Sequence, residues 1–146
     1  MALRRRLLAL LASAALASAV LAYLRDPPWL ISVSSGMRPW VMDASGRRSR
    51  WMGGHASLFV PSDARLISIP LRTSFDAPDD PPITVSITID DRPVDRVVLT
   101  DPQWRLSTVR LPPKGSRQVR RIDIRVDRTR DDNRGAAVGE VYAVTR

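Results

Sequence analysis

Apolar and polar residues alternate one for one from Ile83 to Asp90: Ile83, Val85, Ile87 and Ile89 against Thr84, Ser86, Thr88 and Asp90. A period of two with β-branched residues on the apolar side predicts a half-buried strand. Asp90-Asp91-Arg92-Pro93 interrupts the run with turn-favouring residues, and a second apolar run starts at Val94. The stretch from Ile83 to Thr100 is therefore expected to be a β-hairpin. The remaining chain repeats the theme in shorter pieces. Val119 to Asp127 alternates Ile122, Ile124 and Val126 against Arg121, Asp123 and Arg125. His55 to Val60, Ala64 to Arg72, Trp104 to Leu111 and Ala136 to Val144 read as further strands, and Pro70 argues that its strand lies at an edge or carries a bulge. Between Met37 and Gly54 a short strand or two fits, turning at Asp43-Ala44-Ser45-Gly46 and ending at Gly53-Gly54. Strands about ten residues apart with turn signals between them predict an all-β antiparallel sandwich or jelly roll of about seven to nine strands.

The N-terminus breaks this pattern. Arg4, Arg5 and Arg6 are followed by an uncharged run from Leu7 to Leu24. As a helix that run spans about 27 Å, close to the roughly 30 Å of bilayer hydrocarbon. One N-terminal hydrophobic helix is thus expected ahead of the sandwich. The triple arginine should stay cytoplasmic and send the rest of the chain outward. Residues 1–24 read either as an uncleaved signal anchor in the bacterial inner membrane or as a signal peptide, with small residues near Ala22 and Ala19 suited to cleavage. Residues 25–36, with Asp26-Pro27-Pro28, form a stiff juxtamembrane linker, and residues 37–146 form the domain. Trp29 fits either the headgroup level or the domain edge.

Composition narrows the chemistry. The chain has 146 residues, no cysteine, one histidine and a formal charge of +8. Disulfides, thiolate nucleophiles and cysteine zinc sites are excluded, as is the lipid-modified cysteine of a lipoprotein. Lys114 is the sole lysine and Glu140 the sole glutamate. Arginine and aspartate in their place reflect a GC-rich coding sequence or selection for anion binding. An exported domain is not expected to meet nucleic acid, despite its basic balance.

An ordered set of short motifs carries a family resemblance. Arg50-Trp51 precedes a strand ending in Val60-Pro61; then come Arg92-Pro93-Val94, Leu99-Thr100-Asp101, Trp104, Leu111-Pro112, Ile122-Asp123-Ile124, Asp132-Asn133-Arg134 and Val138-Gly139-Glu140-Val141. From Trp40 to Val144 the chain resembles the extracytoplasmic β-sandwich found on some bacterial membrane glycosyltransferases of the protein-mannosyltransferase type, and on short membrane-anchored proteins. It departs from that pattern at Met52, where threonine usually follows the Arg-Trp pair, and at Gly135-Ala136, where Leu-Gly usually follows the arginine. The multi-span catalytic part of such enzymes is not in these residues, so the resemblance carries no transferase activity. It implies a non-catalytic sandwich that binds or presents carbohydrate or lipid-linked saccharide in envelope glycan assembly. The alternative is a structural module that docks onto a membrane glycosyltransferase or another envelope protein.

Candidate carbohydrate-binding residues are Trp40, Arg50, Trp51, Trp104, Asp132 and Arg134. Indole faces pack on sugar C–H groups while neighbouring Arg and Asp bond to hydroxyls. Tryptophans in a small sandwich serve equally well as core or sheet-edge packing. His55, with Ser57 or Ser62, lacks the motif of a nucleophile pair, and a lone histidine without cysteine does not make a zinc site. Asp79-Asp80, Asp90-Asp91 and Asp131-Asp132 fall in expected loops, where carboxylates serve turn formation, calcium or a glycosidase pair, the last two without a diagnostic spacing here. No catalytic residue, cofactor or metal is assigned. The arginines from Arg117 to Arg134 are interleaved with Asp123 and Asp127, which fits either a cross-neutralised surface or contact with anionic headgroups or an acidic polysaccharide.

Overall fold

The computed structural model describes every residue except Met1, Ala44, Asp76, Pro78 and Arg146, and the side chains of Ala2 and Leu3. The chain divides into two compact units, residues 1–30 and 31–146. The first is carried by a 24-residue helix, α1 (Ala2–Arg25). It is long and apolar enough to cross a membrane, with a mean hydropathy of 2.2. Ser13 and Ser18 each turn their hydroxyl back onto the carbonyl four residues earlier, at 2.9 Å, which satisfies those donors without water. A short 3₁₀ turn (Pro28–Ser32) and the start of the first strand occupy the stretch expected to be a linker.

The strands are β1 (Ser34–Met37), β2 (Val41–Met42), β3 (Arg48–Pro61), β4 (Leu66–Thr73), β5 (Ile83–Ile89), β6 (Arg92–Leu99), β7 (Arg105–Arg110), β8 (Val119–Val126), β9 (Ala136–Gly139) and β10 (Tyr142–Val144). All ten join one antiparallel network. The network folds over along β3. The first half of β3 pairs with β9 from Ser49↔Gly139 to Met52↔Ala136, and the second half pairs with β8 from His55↔Arg125 to Pro61↔Val119. One layer is β2, early β3, β9 with β10, β4 and β7. The other is β1, late β3, β8, β5 and β6. Ile67, Ile69 and Leu71 of β4 share one buried core with Ile83, Val85 and Ile87 of β5 and Ile122 and Ile124 of β8. Each such side chain contributes about 1.5–3 kcal/mol when fully buried. The result is the antiparallel sandwich that the alternation predicts, with a jelly-roll-like arrangement of strands.

The hairpin forms as expected. Asp90 and Asp91 both take positive φ, 49° and 66°, the left-handed pair of a type I′ turn that matches strand twist. Three boundaries differ. Gly53-Gly54 does not end a strand; β3 runs through it, and pairing changes there from β9 to β8. A β-carbon on Gly53 would stand 3.0 Å from Asn133 Nδ2, so the glycine lets the Asn133 side chain approach the strand closely. Pro70 is not on an edge, because β4 pairs with β7 on one side and with β9 and β10 on the other. Its missing N–H falls where pairing passes from β9 to β10, between Leu71↔Val138 and Ser68↔Tyr142. The closing strand from Ala136 to Val144 is accordingly two strands, broken after Gly139. The turn expected at Asp43-Ala44-Ser45-Gly46 is present at its described residues, where Asp43 Oδ1 accepts from the Ser45 and Arg47 amides; Ala44 lies outside them.

Candidate functional site

Alternation along a strand decides which candidate residues meet. On β3, Met52 points into the core, so Trp51 points outward and Arg50 does not share its side. Trp51 is paired across to Ala137 of β9, and Ala137 is paired across to Arg72 of β4. Trp51 and Arg72 thus flank a residue with only a methyl group. Trp104 stands just before β7, whose Arg105 pairs with Leu71. Gly139, two residues along β9, lies beneath Pro70 and Trp104: a β-carbon there would crowd Pro70 Cβ at 2.9 Å and reach ordinary contact with Trp104 Cζ3 at 3.7 Å. The small residues of β9 form the floor on which the large side chains of β3, β4 and β7 lie.

Those side chains form a ladder of cations and rings. The Arg72 guanidinium carbon is 5.6 Å from the Trp51 ring centre and 5.1 Å from that of Trp104. Arg134 lies 5.2 Å from Trp51 at one end, and Arg47 lies 5.3 Å from Trp104 at the other. These are cation–π distances. Asp132 binds the ladder to its loop: its carboxylate accepts from the Arg134 guanidinium, and from the Arg134 amide at 3.1 Å. Arg38 donates to the Asp132 carbonyl. Desolvation pushes the Asp132 carboxyl up, but the Arg134 side chain and amide and the charge of Arg38 outweigh it and hold it below the ordinary carboxylate value. Asn133, with φ of 59°, turns the loop so that Asp132 and Arg134 face each other. Ser74 secures it from the other side by donating to the carbonyls of Arg134 and Gly135 at 2.9 Å.

Four of the six sequence-derived candidates, Trp51, Trp104, Asp132 and Arg134, therefore stand together. The other two, Trp40 and Arg50, form a separate cluster. Arg48 and Arg50 lie 5.0 and 5.2 Å from the Trp40 ring centre, and Arg50 donates to the Arg38 carbonyl at 2.8 Å and to Ser34 Oγ. Trp40, Val41 and Met42 are exposed beside them. Arg72 and Arg47, which complete the ladder, were not candidates in the sequence. The outward place of Arg72 between buried Leu71 and Thr73 is the one signal that could have marked it.

A second polar cluster lies on late β3 and β8. Asp123 is buried; its Oδ1 meets His55 Nε2 at 3.2 Å and accepts from Ser57 Oγ, while Oδ2 accepts from Arg121 Nε at 2.8 Å. Burial pushes the Asp123 carboxyl up, yet the hydrogen bonds from Ser57, His55 and Arg121 hold it below its ordinary value. Serine, histidine and aspartate are present, but the wiring is not that of a hydrolytic triad. In a triad the imidazole stands between the other two, bonded through different nitrogens. Here serine and the same imidazole nitrogen both approach one carboxylate oxygen. Among the described residues there is no group of three or more His, Asp or Glu side chains placed to hold a metal ion. A groove of about 760 Å³, lined by Arg65, Leu66, Arg110, Leu111, Lys114 and Val144 among others, contains none of the ladder residues.

No protein-family model matches the sequence, and no curated protein matches it. Solved structures do. A Clostridium perfringens ZmpB structure holding a catalytic domain with CBM51 domains is 10% identical, covering 77% of this chain and 14% of that one, with a TM-score of 0.50. A family two carbohydrate esterase from Clostridium thermocellum, in complex with cellohexaose, is 8% identical over 77% of this chain and 31% of its own, with a TM-score of 0.49. The CBM51 of Clostridium perfringens in complex with methyl-galactose is 9% identical over 72% of this chain and 79% of its own, with a TM-score of 0.45. The chain spans less than a third of the length of the esterase. At these identities the likeness is one of fold alone, a β-sandwich.

Proposed function

We propose that this chain is a non-catalytic, exported β-sandwich that binds or presents carbohydrate or lipid-linked saccharide in envelope glycan assembly. The observation that carries this reading is the outward cluster of Trp51 and Trp104 with Arg72, Arg134 and Asp132 on one face of the sandwich. Indole surface beside fixed polar groups is what sugar recognition uses, since pyranose C–H groups pack on the ring and hydroxyls bond at its rim. The shared fold with carbohydrate-binding modules is compatible with it. In this reading α1 holds the domain at the outer face of the bacterial inner membrane, with the Arg4-Arg5-Arg6 end in the cytoplasm.

One observation favours a second reading, a module that docks onto a membrane glycosyltransferase or another envelope protein. Each of the two central rings already carries two guanidiniums, and the Trp40-Val41-Met42 strip is a separate exposed apolar stretch. The two readings separate in a glycan-array screen of the full chain in detergent, with Trp51→Ala and Trp104→Ala as companions. Saturable binding to particular glycans, lost in a folded tryptophan variant, is the expected result. A clean negative from folded protein overturns direct saccharide binding and leaves docking, which a pull-down from membranes then tests.

A further inference from the structure

Arg72 stands out among the arginines that are not exposed by what it lacks. Its guanidinium is shared between Trp51 and Trp104 at 5.6 and 5.1 Å. Those ring contacts are the contacts it makes: among the described residues no carboxylate lies within ion-pair reach of it, and no carbonyl or hydroxyl accepts its hydrogen bonds. The side chain of Arg47 also makes only a ring contact, but it is exposed to water; the other arginines around this face have polar partners. Arg134 is paired with Asp132, Arg48 with Glu140 at 3.3 Å, Arg105 with Asp101 at 2.8 Å, and Arg50 donates to Arg38 and Ser34. Arg72 is also half-buried, so its charge is removed from part of its water while its five N–H donors have no protein acceptor. None of its nitrogens is closed off from solvent, so an entering ligand can meet them without breaking a protein pair.

The geometry explains how such a group can serve. The rings restrain a guanidinium on either indole, and β3, β4 and β7 hold the three side chains over the Ala137 and Gly139 floor. A stacked guanidinium keeps its donors in its own plane, free to meet a group with two oxygens. Arg47 and Arg134 add positive charge at the two ends. An oxyanion fits this site; a neutral hydroxyl uses little of it.

We infer that Arg72, held between Trp51 and Trp104, is an anion-reading centre, and that the saccharide taken by this face carries a carboxylate or phosphate group. This rests on the saccharide reading of the same face. The experiment measures binding to the full chain in detergent, by isothermal titration, of trigalacturonic acid and its fully methyl-esterified form, and of galactose 1-phosphate and galactose. The expected result is that one or both charged probes bind at least about tenfold more tightly than the neutral partner, with the preference falling as salt rises. Which charged probe binds assigns carboxylate or phosphate. Arg72→Gln should weaken that probe by about ten- to a hundredfold, the range expected for losing a charge-assisted hydrogen-bonded pair. Arg72→Lys, which keeps the charge and loses the planar fork, should fall between. Near-UV circular dichroism reports whether each variant keeps its tryptophan packing. If Arg72→Gln does not fold, Arg47→Gln at the exposed end of the ladder should still reduce the charged-probe affinity several-fold. Equal binding of charged and neutral probes overturns the anion reading and leaves saccharide binding standing. No binding by any of the four probes overturns the anion reading, while the glycan array decides saccharide binding. Charged binding that a folded Arg72→Gln variant retains in full overturns the assignment to Arg72.

Discussion

Arg120 offers the sharpest stability test, because its neighbour Arg121 provides the contrast. Arg121 is exposed and ion-paired to Asp91 and Asp123. The Arg120 side chain is only 8% exposed. Its Nη2 donates to the carbonyls of Pro112 and Pro113 at 2.8 and 2.6 Å, its Nε to that of Ser62 at 3.4 Å, and its Nη1 stands 3.6 Å from Asp90. One guanidinium thus ties the β7–β8 loop, the end of β3 and the tip of the hairpin together. Arg120→Met keeps much of the stem volume and removes the fork. Removing one partner of a buried charged group costs about 3–5 kcal/mol where water cannot replace it. Pro112 and Pro113 are exposed, so water can reach two of the three carbonyls, and the Asp90 carboxylate is also partly solvated. About 2–3 kcal/mol is therefore expected, from the long Ser62 bond, the lost loop tie and the discounted remainder. For a domain of this size that corresponds to a fall in Tm of roughly 8–15 °C. Thermal melts of the full chain in detergent, followed by far-UV circular dichroism, measure it. Arg110→Met, at an exposed arginine of β7, is the control and should move Tm by no more than about 2 °C. A similar, small shift in both variants would refute the claim that burial and carbonyl pairing distinguish Arg120.

Two further outcomes follow from the same structure. The Asp123 carboxyl has a folded value below its ordinary 3.8; a depressed carboxylate contributes stability that is present above the unfolded value and lost as pH falls through the folded one. Asp123→Asn should therefore lower Tm at pH 7 and flatten the loss of stability between about pH 5 and pH 2, which melts across that range would show; an unchanged acid limb would contradict the assignment. Gly36 has φ of +71°, and a β-carbon there would stand 2.1 Å from the His55 carbonyl oxygen. Gly36→Ala must push β1 off β3, at a cost of about 2–4 kcal/mol, read as a lower midpoint in urea; a change under about 0.5 kcal/mol would show that β1 shifts freely.

Much of the fold is legible in the sequence where one local signal suffices. Ile83 to Ile89 alternates without a break, and two aspartates can both enter the left-handed region, so strand, turn and partner follow. The misread boundaries share a physical cause. Gly53-Gly54 looks like an ending and Pro70 like an edge or bulge by local rules, but tertiary pairing uses both as changes of partner, and the break after Gly139 is set by the same passage of β4 from β9 to β10. The candidate site was legible in part for the same reason. Trp51, Trp104, Asp132 and Arg134 carry conspicuous chemistry and converge. Arg50 is next to Trp51 in sequence, which on a strand places it on the other side. Arg72 carries no motif; its importance comes from its cross-strand register with Ala137 and from the Leu71↔Arg105 pairing that brings Trp104 alongside, which a single sequence does not display.

The central claim is that saccharide binds at the Trp51–Trp104 face. The chain has four tryptophans, Trp29, Trp40, Trp51 and Trp104, and therefore four indole N–H signals in an NMR spectrum of ¹⁵N-labelled protein in detergent. The measurement is a titration with the glycan that the array binds most strongly, each signal assigned by Trp→Phe substitution. The account predicts that the Trp51 and Trp104 signals shift together and saturate while those of Trp29 and Trp40 stay in place. Shifts confined to Trp29 or Trp40, or none at any indole, would contradict it.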